Sequence, residues 1–125
     1  MATTPLHAEA IRALLAPAVS WYLEIESKVD LGEAYDEEWD DSALKALQAL
    51  AAFPSLSPSQ HALASGALAS FQGYLSQDYD YNFLYEAKVP LRRLATAVSF
   101  DFDAAEQPYR AALSEQEARE RALQP

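Results

Sequence analysis

Cysteine is absent from this chain, glycine occurs three times, histidine twice, and nineteen acids face nine bases. Each shortage removes a class of function. Without cysteine there can be no disulfide, thiolate nucleophile or cysteine-held metal, a composition that suits a reducing, cytoplasmic setting. Gly32, Gly66 and Gly73 offer too little for a phosphate-cradling loop, and no glycine-rich turn ending in Lys-Ser or Lys-Thr occurs. The His-Glu-x-x-His zinc motif and the Gly-x-Ser-x-Gly hydrolase elbow are missing as well. His7 and His61 each lack the preceding glutamate that a di-iron helical bundle requires, and His61 is expected at the surface of a helix's first turn. Asp78, Asp80 and Asn82 match the start of a calcium-binding EF-hand loop, but Phe83 replaces its glycine and Val89 its bidentate glutamate. No metal and no cofactor are expected.

The shortage of bases leaves a formal net charge of -10. Nucleic acid and anionic membranes both demand basic surface to displace counterions, so direct contact with either is not expected, whereas a basic protein partner is. Long apolar runs are lacking too: the longest uncharged stretch, Ala46 to Gln77, is broken by Pro, Ser, Gln and Gly. Neither a membrane span nor a signal peptide is expected.

What is present points to helix. About a fifth of the 125 residues are alanine, the best helix former, so core volume must come from leucines and aromatics. The length fits one domain with one modest core. The expected fold class is mainly α, a single compact domain of about four to six short helices. The alternative is α+β, with a small antiparallel sheet from residues 19–29, 79–89 and 98–103.

Along the chain, Thr4 and Pro5 suit a cap and first helical position, and a first helix is expected to Ala16. Pro17 then predicts a kink or a new element, since it deprives the carbonyl of Ala13 of its helical partner. Val19 to Val29 alternates as a strand does, yet Trp21, Tyr22, Ile25 and Val29 also share a helical face, with Gly32 placed to end it. Asp40, Asp41 or Ser42 can cap a helix burying Leu44, Leu47, Leu50 and Ala51, ended by Pro54. Ser57, Pro58 and Gln60 form a capping box ahead of a helix burying Leu63, Ala64, Ala67, Leu68, Phe71 and Leu75. Tyr79 to Val89 and Val98 to Asp103 alternate with period two, whereas Phe83, Ala87, Leu91, Leu94 and Val98 space along a helix kinked at Pro90. A last, weakly docked helix is expected from Pro108 to about Leu123.

Charge is concentrated between Glu24 and Asp41, where nine acids face Lys28 alone. Arg92 and Arg93 are expected to pair with this segment or to lie on a helix surface. Trp21, Tyr22, Phe71, Phe83, Phe100 and Phe102 are expected in the core. Tyr35 and Trp39 have acids on both sides, so they either fold inward or present aromatic anchors in a negative field.

The functional expectation is a non-enzymatic, acidic protein-binding module that covers a basic surface of a partner. Its candidate contact residues are Tyr35, Asp36, Glu37, Glu38, Trp39, Asp40 and Asp41. Inhibitors such as immunity proteins and antitoxins share this physics, in which an acidic face occupies a basic one. Two other classes stay open: a homo-oligomeric structural or scaffold protein, and a small enzyme using carboxylates, for which no particular pair stands out.

Overall fold

The structure is a computed structural model that describes residues 5–124, with side chains from His7 onward. The expected cap at Thr4 lies outside the described residues. Five helices follow in order: α1 (Pro5–Leu31), α2 (Glu38–Ala51), α3 (Pro58–Ser76), α4 (Tyr81–Ala97) and α5 (Phe102–Leu123). No strand occurs among the described residues. The three stretches that could have built a sheet fall in α1, in α4 with the turn before it, and in the α4–α5 junction.

The helix ends follow local chemistry. Gly32, at φ 68, closes α1 with its amide on the Val29 carbonyl and that of Glu33 on Lys28, a Schellman arrangement. Ser99, at φ 58, closes α4 the same way, with Phe100 N–H donating to the Ala95 carbonyl at 2.8 Å. Ser57 and Gln60 form both halves of the capping box on α3, and Asp80 and Asp101 cap α4 and α5.

Three expected boundaries differ: the first helix runs past Ala16, α5 opens before Pro108 and α2 opens before Asp40, while Pro90 sits within one helix as the helical reading of its stretch expects. Pro17, Pro90 and Pro108 lie inside α1, α4 and α5. Each frees the carbonyl four residues earlier, at Ala13, Glu86 and Ala104, and all three of those residues are exposed, so water can take the orphaned acceptor. Burial on either side of Pro17 and Pro90, and of Phe102 and Glu106 just ahead of Pro108, then holds each helix. For the same reason α5 opens at Phe102, whose buried ring is worth more than a proline at the first position. α2 begins before Asp40, with Glu37 at its N-cap and the Asp36 carboxylate accepting from Glu38 N–H.

α1 lies against α2, α4 and α5, while α3 packs against α2 and most extensively against α4. The shared core includes Ile11, Leu15, Tyr22, Ile25, Leu47, Leu50, Phe71, Tyr74, Leu84, Leu91 and Leu94. Of the aromatics expected there, Tyr22, Phe71 and Phe102 are buried, and Trp21, Phe83 and Phe100 pack against it half-buried. Beyond Glu106, α5 buries no residue.

Buried ions join α1, α4 and α5. Glu106, 2% exposed, meets Lys88, Arg92 and Arg110, and Lys88 also reaches Glu26 at 2.9 Å. Burial raises the Glu106 carboxyl's pKa, but Lys88 with Arg110 and Arg92 outweighs it and holds it below the ordinary value. Arg92 therefore pairs with Asp103 and Glu106 on α5, not with the acidic stretch. Lys88 makes that link instead.

Candidate functional site

The acidic stretch divides in two once it is folded. Its first part, on α1, is engaged internally: Glu24 accepts from the Tyr109 hydroxyl at 2.8 Å, Asp30 from Tyr85 at 2.6 Å, and Glu26 from Lys88 and Tyr22. Burial, and after it the Glu24 carboxylate, pushes the Tyr109 phenol up to about 12. These acids serve the packing of α1 against α4 and α5.

The second part forms the α1–α2 loop and first turn of α2. Asp36, Glu37, Glu38 and Asp41 are exposed, and none of them meets a lysine or arginine among the described residues. Glu33 pairs with Lys28 at 2.9 Å. The loop is short and turns sharply out of Gly32, which is why four uncompensated acids crowd together; gathering Glu38, Asp40 and Asp41 in the first turn of α2 favours the positive end of that helix.

Tyr35 and Trp39 are half-buried, and their rings stack at 5.8 Å between centroids. Trp39 also tilts against Trp21 of α1 at 6.0 Å. The two candidate anchors thus form one aromatic shelf, with an inner edge on the core and an outer edge among the acids.

Asp40 has a different place from its neighbours. It is 5% exposed, and its Oδ1 accepts the Tyr35 hydroxyl at 2.8 Å. Because Tyr35 gives its proton to Asp40, the Tyr74 hydroxyl, 2.8 Å away, must donate to Tyr35. Tyr79 approaches from the α3–α4 turn, where Asp78 and Tyr79 hold φ 52 and 59; its ring meets that of Tyr74 edge-on at 5.2 Å, and it lines the same space as Asp40. Burial raises the Asp40 pKa, against the Tyr35 and Tyr79 phenols, which lower it. Burial also raises Tyr35 and Tyr74, so both remain neutral phenols. Asp40 is therefore not one of the exposed acids that the sequence pattern groups it with.

These side chains line a cavity of about 420 Å³, walled by Tyr35, Tyr74, Tyr79 and Tyr81 with Asp40 and Glu37. Tyr79 and Tyr81 stand at its mouth, 43% and 56% exposed. Sequence reasoning missed Tyr74, Tyr79 and Tyr81. The local signal was the density of tyrosines around acids near residue 80, but nothing in the sequence joins that turn to Asp40.

Among the described residues no three of His, Asp and Glu converge to hold a metal ion, and no helix is long and apolar enough to cross a membrane. Comparison with known proteins returned nothing: no family model, no curated protein and no solved structure matches the chain.

Proposed function

We propose that this protein is a non-enzymatic binding module that covers a basic surface of a protein partner with its α1–α2 loop and the start of α2. One observation carries the reading: Asp36, Glu37, Glu38 and Asp41 are exposed without a countercharge around the Tyr35–Trp39 shelf, whereas the acids of α1 are engaged within the fold. Uncompensated charge steers a basic partner at long range, and a rigid aromatic pair supplies the short-range contact. Asp36, Glu38 and Asp41 steer; Tyr35 and Trp39 anchor. The geometry favours binding over carboxylate chemistry, because the cavity offers one buried acid, and the other ionic centre depresses the Glu106 pKa where an acid catalyst would want it raised. An inhibitor of the immunity-protein or antitoxin kind is the finer form of this reading.

The test is capture from host lysate on immobilised protein beside the triple variant Asp36→Asn, Glu38→Gln, Asp41→Asn, at low and high salt. A basic protein retained at low salt by the wild type alone and released at high salt is expected. Retention that ignores both salt and the substitutions would overturn the reading.

A second reading, self-association, has its own observation. Tyr81, Tyr85 and Val89 recur every fourth residue on the outer face of α4, each at least 41% exposed. A dimer in sedimentation that Val89→Asp dissociates would favour it, and a monomer at the highest accessible concentration would remove it.

A further inference from the structure

A carboxylate taken out of water is ordinarily paired with a cation, as Glu106 is with Lys88, Arg92 and Arg110. Asp40 is buried without one. Its hydrogen bond comes from the neutral phenol of Tyr35, and no lysine or arginine pairs with it among the described residues. Lys28 lines the same cavity, but its ammonium is taken by Glu33. The site thus combines a buried acid lacking a countercharge, an exposed acid at the rim in Glu37, and four tyrosine rings around a space of about 420 Å³. Rings carry a negative face that attracts cations, so acids and rings alike favour positive charge in this cavity.

We propose that the cavity receives the guanidinium of an arginine from the basic partner, stacked on the tyrosine rings and paired with Asp40 and Glu37. This rests on the binding-module reading and names the partner's anchoring side chain. Arginine fits better than lysine for two reasons. Its flat, delocalised group stacks on aromatic faces, and it gives up hydration more readily than a compact ammonium. Tyr81 and Tyr79 at the mouth close over the aliphatic stem, and the steering acids Asp36, Glu38 and Asp41 lie outside the cavity lining, so approach and insertion use different residues.

The experiment is a solution NMR titration of the whole chain with N-acetyl-arginine amide, its lysine counterpart and its uncharged isostere, N-acetyl-citrulline amide. The arginine probe should bind saturably with a Kd on the order of 1 mM, as suits so small a ligand, shifting the ring signals of Tyr35, Tyr74, Tyr79 and Tyr81. Tyr81→Ala and Glu37→Gln, both at exposed positions and so harmless to folding, should each weaken it about threefold to tenfold. Asp40→Asn should weaken it further. Absence of saturable arginine binding, equal binding of the citrulline or lysine probe, or indifference to Tyr81→Ala and Glu37→Gln would each overturn the proposal. Failure here is distinguishable from failure of the function: if the probe does not bind while salt-sensitive capture still depends on Asp36, Glu38 and Asp41, the cavity assignment falls and the binding module stands.

Discussion

Replacing Glu106 with glutamine should cost this protein a large share of its stability at neutral pH and almost none in acid. The side chain is 2% exposed and faces Lys88, Arg92 and Arg110. Glutamine keeps the shape but removes the charge, leaving three cations to share Glu26 and Asp103. Breaking a buried pair from one side costs about 3 to 5 kcal/mol. The side chains of Arg92 and Arg110 are 39% and 52% exposed, so water can take back part of their charge, and the low end, about 3 kcal/mol, is the expectation. Urea unfolding with a slope of about 1.5 kcal/mol per molar would then show the midpoint falling by about 2 M.

The pH dependence follows from the sign of the shift. Glu106 is held below its ordinary 4.5 in the folded state, so its contribution is complete above that value and disappears as pH falls through the lowered pKa. Wild type and Glu106→Gln should therefore differ fully at pH 7 and converge in acid. A difference under about 1 kcal/mol at pH 7, or one that stays constant into acid, would refute the role assigned to this ionic centre.

Asp40→Asn should behave in the opposite sense. Burial raises its pKa, so the wild-type carboxyl loses stability as pH rises from 3.8 through the folded value; the variant should be the more stable of the two at pH 7, with the gain vanishing when urea unfolding is measured in acid. The two helical glycines of α3 should also respond with opposite signs in thermal melts. A Cβ on Gly66 meets Pro90 at an ordinary 3.9 Å, so Gly66→Ala should stabilise by about 0.5 to 1 kcal/mol. At Gly73 the new atom would lie 2.7 Å from the Phe83 ring, so Gly73→Ala should destabilise by about 1 to 3 kcal/mol despite the better helix former.

Much of the helical plan was legible locally. Ser57 with Gln60 starts α3, Gly32 ends α1 at a positive φ, and the alanine content favours helix. The stretch 79–89 read equally well as a strand because its alternation counted Tyr81, Tyr85 and Val89 as inward. In the fold those three are exposed, and the buried set is Leu84, Ala87, Leu91 and Leu94 at helical spacing. Which aromatic rings face the core is a packing decision, and tyrosine suits either side.

The sequence alone favoured a mainly helical class and determined the excess of acid and its concentration between Glu24 and Asp41, because composition and nearest-neighbour chemistry reach that far; the structure decided against a sheet from 19–29, 79–89 and 98–103. Only tertiary structure decided which of those acids are free. Tyr85, Lys88 and Tyr109 reach back across more than fifty residues to engage the α1 acids, and Tyr74 of α3 bonds Tyr35 and, with Tyr79 of the turn after it, encloses the space around Asp40. Such pairings carry no local signature: they arise because burying the apolar faces of α1, α3 and α4 fixes where the polar edges meet.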